Sequence, residues 1–498
     1  MSINRNADAA SAANRFGLGA KPGAIDAMHD PRGALAQQID APASNNAAFA
    51  GLPSSADYLA AETRYRLDRR ARKQELEAAN NAANSSEANA EEKVKAAGGG
   101  FRKEFGAQLL AEGAARWQVA LAAPIGFDER LVRFWSNHFA VSVDKRQALL
   151  YAAPMEREVI RPLAFGRFQD LLFGVETHPA MLRYLDNVAS IGPDSRFGQR
   201  PPQRYGGDDA QPKRKLGLNE NLAREILELH TLGVNGGYTQ TDVTELARAI
   251  TGWSIRGPRD DRLGERFGGA TSNASSETGF VFRDAAHEPG ARNILGKHYA
   301  DGGIEQGRRV LVDLALHPST ANHLALKLAR HFVSDQPPPA LVQRMAKSYL
   351  GSGGELRALY LSMLQSDESW SPSARKFRTP DDFLVAALRA LGTEQVPDVR
   401  KVTGLLTKLG QPSFMPRSPA GFADTADAWI GPDALRKRIQ TAEELAARAP
   451  RSLVPAQVAR DALGPRLDAS TAQAIARAES PKQALSVLLA SPQFQWRI

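Results

Sequence analysis

The chain has 498 residues, of which 43% are hydrophobic, and its formal net charge is +8. It contains no cysteine, which excludes disulfide bonds, thiolate zinc sites and cysteine nucleophiles. No window approaches 18 apolar residues, so no membrane span is expected, and the first residues lack the apolar core of a signal peptide. The expected location is therefore the cytoplasm.

The first hundred residues are predicted to form helices joined by loops. Short helices are expected at 8–19 and 31–39, followed by a Pro-, Ala-, Ser- and Asn-rich loop at 40–55. Residues 56–97 are rich in Ala, Glu, Arg and Lys, a composition typical of a long exposed helix or helical hairpin, and the glycines at 98–100 indicate a hinge. Nucleic-acid binding by this charged segment is the weakest hypothesis, because no DNA-binding motif accompanies it.

Two helices are predicted next, at 104–122 and 129–143. In the second, His138 shares a side with large apolar residues, which favours a hydrogen-bonded core histidine over a catalytic one. Asn137 and Lys145 lie nearby in sequence and are candidate substrate-binding residues.

Helices are also expected at 153–163, 166–174 and 179–187. The last one ends in Asp186 and Asn187, an acid–amide pair of the kind that binds hard cations. The alternative is an ordinary helix end, where Asp and Asn favour turns.

A helical hairpin at 218–253 is the most informative stretch of the chain. Two long loops, at 190–217 and 256–280, flank it, and long loops are often functional lids or insertions. In the hairpin, Gly233 ends the first helix, and Thr239 with Asp242 resembles a capping box for the second.

The first helix of this hairpin, 219–232, is predicted to carry one polar stripe, formed by Asn221, Arg224, Glu225, Glu228 and Thr231. One interpretation is a solvated face with an Arg224–Glu228 ion pair. The other is a site in which Glu225 and Glu228 bind a metal ion or act as acid and base. Oxygen ligands of this kind suit Mg²⁺, Mn²⁺ or Ca²⁺. His230 falls on the opposite, apolar side and is expected to be structural.

From residue 304 to the C-terminus the pattern is again helical, with Ser319 or Thr320 as an expected N-cap. No His–Glu–x–x–His sequence occurs, so zinc-protease chemistry has no support. A proline-rich loop is expected at 410–424, and strand-like alternation is confined to a short hairpin near 279–283. The predicted fold is all-α, a multi-helix array of helical hairpins. Its expected regions are 1–55, 56–100 (the charged insertion), 101–395 (the central core with the candidate site) and 396–498.

Several long motifs, in this order, resemble the DUF1800 family, a bacterial family of unknown function, over nearly the whole chain. They are NRFGLGAKPG (14–23), ERLVRFWSNHFAVSVDK (129–145), FQDLLFGVETHPAMLRYLDN (168–187), NENLAREILELHTLGVNGGYTQTDVTELARAITGW (219–253), HEPGARNILG (287–296), HPSTANHLALKLARHFVSD (317–335), KFRTPDDFLVAALRALG (376–392) and GQPSFMPRSPAGF (410–422). The resemblance implies a largely helical protein. It also implies an association with a DUF1501 protein, a sulfatase- or phosphatase-like partner that is often exported, and hence a periplasmic or secreted alternative to the cytoplasm. At the position of His230 the family frequently has an aromatic residue, which agrees with a structural role.

Two functional hypotheses follow. The first is a metal-assisted hydrolase or group-transfer enzyme acting on a phosphate, sulfate or glycosyl substrate. Its catalytic residues are expected to be Glu225, Glu228 and His138. Substrate binding is assigned to Asn137, Arg224, Lys145 and Asn221, and metal binding to Asp186, Asn187 and Glu225. The second is a non-catalytic scaffold or chaperone-like partner of the DUF1501 protein.

Overall fold

A computed structural model describes residues 5–42, 46–82, 100–199, 217–257, 278–396 and 398–497. The described chain is predominantly helical, which confirms the predicted fold class. Parts of the predicted charged insertion, its glycine hinge and the two long loops (83–99, 200–216 and 258–277) lie outside the described residues. Within the described ranges, no helix combines the length and apolar character needed to cross a bilayer.

The helices of the N-terminal half range from single turns to one of 28 residues. In chain order they are α1 (Arg5–Ser11), α2 (Ala24–Ala27), α3 (Pro31–Asp40), α4 (Ser55–Ala82), α5 (Gly100–Glu104), α6 (Gly106–Ala122), α7 (Phe127–His138), α8 (Ala152–Met155), α9 (Arg161–Leu163), α10 (Phe168–Glu176), α11 (Pro179–Tyr184), α12 (Asn221–Glu225) and α13 (Gln240–Ala249).

The C-terminal half of the described chain is also helical. Its helices are α14 (Ile304–Ala315), α15 (Pro318–Phe332), α16 (Pro339–Gly351), α17 (Leu356–Gln365), α18 (Pro380–Ala390), α19 (Val399–Lys408), α20 (Pro432–Arg448), α21 (Pro455–Leu463), α22 (Ala469–Ala476), α23 (Pro481–Ala490) and α24 (Pro492–Gln495).

Three π-helical turns interrupt or extend these helices, at Ala12–Phe16, Glu156–Ile160 and Ile226–Thr231. The last one replaces the second half of the predicted helix 219–232. Thr231, which was expected on the polar stripe, is fully buried there and donates its hydroxyl to the carbonyl of Ile226, 2.6 Å away. The expectation for Thr231 was wrong because a π-turn rotates the residues that follow it relative to an α-helix.

The strands form three small antiparallel ribbons. They pair β1 (Trp253–Ile255) with β2 (Phe280–Phe282), β3 (Arg292–Ile294) with β4 (Lys297–Tyr299), and β5 (Lys376–Phe377) with β6 (Trp496–Arg497). The short hairpin expected near 279–283 does not form within that stretch: these residues supply β2, and the partner strand β1 lies before the predicted loop at 256–280. The third ribbon joins the C-terminus to the start of α18.

Helix starts follow local hydrogen bonding. Thr239 and Asp242 form the predicted capping box at α13. The expectation that Ser319 or Thr320 caps α15 was wrong, because His317 is the N-cap and its Nδ1 accepts the amide of Ser319 at 3.1 Å. A proline in the first turn of α15 fixes the backbone for this arrangement.

The buried apolar side chains form two main clusters. The larger one extends from α1 to the segment after α17 and includes Phe16, Trp135, Trp253 and Phe332. The second combines α6 and α18 with the C-terminal helices, around Trp117. The four-region division of the chain stays a prediction.

Candidate active site

A cavity of about 90 Å³ lies between α7, α18 and the cavity loop, which we define as residues 410–424. Phe414 and Phe422 form its apolar wall, and Ser136 and Thr379 contribute hydroxyl groups. Its charged lining is formed by Arg116, Arg130, Arg133, His331, Asp381, Asp382 and Asp424. The space is sufficient for a few water molecules or for the reacting group of a substrate.

Asn137 holds the cavity loop in place. Its amide nitrogen donates to the carbonyl of Phe422 at 2.9 Å, and its amide oxygen accepts the Phe422 N–H at 2.8 Å. Gly421 (φ 81°) allows this close approach, because a Cβ there would lie 2.4 Å from the Asn137 carbonyl oxygen. Further along, the Val143 amide donates to the Phe414 carbonyl at 2.8 Å. Asn137, predicted to bind substrate, therefore uses its amide group to position the loop.

His331 and Asp424 form an acid–base pair at the cavity. His331 Nδ1 and Asp424 Oδ1 are 3.2 Å apart, and the His331 side chain is 12% exposed. Burial lowers the pKa of His331. Burial raises the pKa of Asp424, but the hydrogen bond from His331 and the charges of His331, Lys327 and Lys376 outweigh burial and hold that pKa below its ordinary value. At neutral pH the pair is therefore a neutral imidazole beside an ionised carboxylate.

The proton position on His331 follows from these charges. A carboxylate can only accept hydrogen bonds, so Nδ1 carries the proton and Nε2 carries the lone pair. Within the described chain, His331 Nε2 has no hydrogen-bond partner. Nε2 is buried, and an imidazole that a carboxylate orients in this way has the tautomer of a general base.

The backbone around Asp424 is also fixed. Lys376 contacts both the Asp335 carboxylate and the Asp424 carbonyl oxygen. The second oxygen of Asp335 accepts the Ala426 amide at 2.9 Å, and the Trp429 indole donates to the Ala423 carbonyl at 3.0 Å. Lys376 and Asp335 are distant in sequence from Asp424, so their contacts help to position it independently of the loop's own conformation.

The arginines of the cavity have carboxylate partners. Arg133 contacts Asp381, and Arg116 Nε lies 3.0 Å from each carboxylate oxygen of Glu156. Arg130 donates to Asp382 at 2.6 Å. Because these charges are balanced by carboxylates, we regard the arginines mainly as the frame of the cavity.

A histidine cluster lies beside this pair, on the side of the π-turn. His138 and His323 point their Nε2 atoms at the carbonyl oxygens of His230 and Leu229, each 3.1 Å away. These carbonyls lie in the π-turn, so the two imidazoles satisfy acceptors near its end. Burial lowers the pKa of His138 well below its ordinary value and lowers that of His323 to about 4. Both rings are neutral, and their geometry favours the core interpretation of His138.

His230 is fully buried, as the sequence predicted. Its Nδ1 lies 2.7 Å from Oε1 of Glu176, which is also fully buried. This contact joins the π-turn to the end of α10.

The predicted polar stripe on α12 lies at the surface and is only partly brought together. Arg224 pairs with Glu220 at 3.3 Å and with Gln240 at 3.0 Å, not with Glu228 as the solvated-face interpretation expected. Glu228 instead accepts a hydrogen bond from the Tyr238 hydroxyl at 3.1 Å. Asn221 is exposed.

Glu225 differs from the rest of this stripe. It is half-buried, and burial together with the Glu228 charge raises its pKa, although the His230 charge opposes the change. Glu225 and His230 are five residues apart, the spacing of one π-turn, which brings them closer than an α-helix would.

The predicted metal ligands diverge at the end of α11. Asp186 pairs with Lys145 at 2.6 Å, and Lys145 also donates to the Tyr184 carbonyl at 2.7 Å. Asn187 is buried and donates to the carbonyls of Ile250 and Trp253, at 3.3 and 3.1 Å. In the part of the chain that the structure describes, no group of three or more His, Asp or Glu side chains could hold a metal ion. A metal at Glu225 would need water or substrate oxygens to complete its coordination.

One known protein family matches nearly the whole chain. The family model described as "Protein of unknown function (DUF1800)" matches residues 11–496 of the chain. The chain belongs to the DUF1800 family. Neither the curated proteins nor the solved structures gave a match.

Sequence reasoning missed the residues that form the acid–base pair in this DUF1800 chain. His323, Lys327 and His331 recur every four residues on α15, which places them on one helix face, and that spacing was available from the sequence. Asp424 gave no such signal, because it is 93 residues from His331 in a proline-rich loop.

Proposed function

We propose that this protein is a hydrolase or group-transfer enzyme acting on an anionic phosphate, sulfate or glycosyl substrate, with His331 as general base and Asp424 as its orienting group. The observation that supports this is the His331–Asp424 contact at the cavity, with Nε2 of His331 lacking a protein partner in the described chain. A neutral, oriented imidazole with a free lone pair is suited to removing a proton from water or a hydroxyl group.

For a phosphate or sulfate ester, the proposed step moves one proton through His331, from the attacking group to the leaving group. His331 Nε2 accepts a proton from the attacking water or alcohol, and the new bond to phosphorus or sulfur forms as the bond to the ester oxygen breaks. The proton then passes from Nε2 to the leaving oxygen. Asp424 stabilises the imidazolium that exists between the two transfers.

A divalent metal ion is a separate part of the proposal. Glu225 is not among the residues that line the His331 cavity, so a Mg²⁺, Mn²⁺ or Ca²⁺ ion at Glu225, near Glu228, would occupy a second, independent site. The half-buried position and raised pKa of Glu225 support this, because a cation would offset the cost of ionising a carboxylate there.

The test is a panel of aryl phosphates, aryl sulfates and aryl glycosides assayed with wild type and with the variants His331→Gln, Asp424→Asn and His298→Gln. We expect kcat/KM to fall about 10²- to 10⁴-fold in the first two variants, the usual contribution of a general base. His298 is exposed and serves as the matched control, with unchanged activity expected. Full activity in a folded His331→Gln protein would show that the reacting centre lies elsewhere.

A scaffold for a partner such as a DUF1501 protein is the alternative. It is supported by two exposed apolar side chains one turn apart on α20, Leu435 (37% exposed) and Ile439 (50% exposed). A scaffold would retain its biological function in the His331→Gln protein, so the same variant separates the two proposals.

A further inference from the structure

The face of α15 that carries His331 also carries two cations, Lys327 and Arg330. His323, Lys327 and Arg330 are spaced i, i+4 and i+7, so they lie on one side of the helix. All three are partly buried. Among the described residues, neither Lys327 nor Arg330 has a hydrogen bond or an ion pair, and Arg330 Nε is a buried donor without an acceptor.

The surroundings of Lys327 include one carboxylate, Asp424, and one further cation, Arg330. Burial lowers the pKa of Lys327, the Asp424 charge opposes this, and the Arg330 charge lowers the pKa further. Asp424 already accepts the His331 hydrogen bond. Lys327 thus faces one carboxylate that already accepts a hydrogen bond from His331.

The neighbouring histidines cannot act as counter-charges. His138 and His323 donate Nε2–H to backbone carbonyls, and the Lys327 charge contributes to keeping both rings neutral. Partly buried charges in proteins are normally paired with an opposite charge or a ligand. A bound anion on this face would supply such a partner.

We propose that Lys327 and Arg330 form a binding site for a tetrahedral oxyanion, phosphate or sulfate, which is the charged group of the substrate on which His331 acts. The assignment to a substrate rests on the proposed function, whereas the anion site itself does not. The arginine fork can bind two oxygens at once, and the lysine ammonium supplies a compact charge to a third. Asp424 joins the two parts of the site, because it contacts His331 and faces Lys327.

The experiment measures binding of inorganic phosphate and inorganic sulfate to the full chain by calorimetry, with sodium chloride at the same ionic strength as the reference. We compare wild type with Lys327→Gln, Arg330→Gln and Lys327→Arg. Lys482→Gln is the matched control, since Lys482 is an exposed lysine on α23. We expect at least a tenfold loss of affinity in the two glutamine variants, near-wild-type affinity in Lys327→Arg, and no change in the control.

A second measurement separates lost binding from lost folding. Burial disfavours the charged form of Lys327 more than the Asp424 charge favours it, so the melting temperature of anion-free Lys327→Gln is expected to equal or exceed that of wild type, while its rise with phosphate or sulfate disappears. Wild type that binds neither anion more tightly than chloride overturns the proposal, as does a Lys327→Gln protein with unchanged affinity.

The His331→Gln variant distinguishes this proposal from the enzymatic one. It is expected to bind phosphate or sulfate as wild type does, because His331 Nε2 accepts and does not donate in the neutral ring. Anion binding without turnover of any ester would support the anion site and contradict the proposed function. Turnover that does not change in Lys327→Gln and Arg330→Gln would support the proposed function and contradict the anion site. The anion that binds more tightly identifies the ester class.

Discussion

His331 on α15 donates its Nδ1 hydrogen to Asp424 in the cavity loop, across 93 residues of chain. The contact depends on three elements that meet only in the folded protein: α15 supplies the imidazole, Asn137 on α7 anchors the loop at Phe422, and Lys376 holds the carbonyl of Asp424. The charge state of the pair is set by burial as much as by the contact itself. Its chemistry can therefore be tested through its pH dependence.

The activity is expected to persist to lower pH than an ordinary histidine would allow. Burial lowers the pKa of His331 from 6.5, and the charges of Arg497 and Arg130 act in the same direction, while Asp424 opposes them. The neutral, active form therefore survives below pH 6.5, and the acid limb of kcat/KM should have its midpoint below that value. Measuring kcat/KM between pH 4 and 8 tests this. A midpoint above 6.5 would contradict the assignment of His331 as the base.

The lowered pKa of His331 should also make the free energy of unfolding depend on pH. The unfolded chain protonates His331 near its ordinary pKa of 6.5, whereas the folded chain resists protonation. Between the lowered pKa and 6.5 the unfolded state binds more protons, so the contribution of His331 to the free energy of unfolding falls as the pH falls through this window. The His331→Gln protein lacks this contribution, and its melting temperature should vary less with pH in the same range.

Some features of the fold are determined by residues that are close together in sequence. The helical fold, the α13 capping box and the burial of His230 were predictable, because periodicity and cap residues act within a few positions of the chain. The π-turn at Ile226–Thr231 was not, because residues distant in sequence stabilise it: His138 and His323 satisfy its carbonyls. The residues of the predicted polar stripe other than Thr231 are partly or fully exposed, but their partners could not be read from one helix.

Glu225 gives a direct test of the metal hypothesis. Burial raises its pKa, and it has no ion-pair partner among the described residues, so its ionised form opposes folding at neutral pH. Without metal, Glu225→Gln should be at least as stable as wild type. With Mg²⁺, Mn²⁺ or Ca²⁺ at a hundredfold excess over Kd, only wild type should gain about 2.7 kcal/mol. The measurement is thermal unfolding of both proteins with each metal or with EDTA.

Three outcomes of that experiment have different meanings. A metal-dependent rise that is absent in Glu225→Gln would support a cation at this carboxylate. The same rise in both proteins would place the cation away from Glu225, and no rise in either would contradict the metal hypothesis. Glu245→Gln is a suitable control, because Glu245 already pairs with Arg248 at 2.6 Å.

The Glu176–His230 pair should be important for stability and not for chemistry. Both side chains are fully buried and lie 2.7 Å apart. His230→Phe removes one partner and leaves a buried carboxylate, which should lower the free energy of unfolding by about 3–5 kcal/mol. Adding Glu176→Met to His230→Phe removes that carboxylate, so the double variant should recover most of the loss. Urea unfolding of the two single variants and the double variant measures the coupling. If the single variant His230→Phe is as stable as wild type, the carboxylate is not held by His230, and an aromatic ring can replace the imidazole without any compensating change.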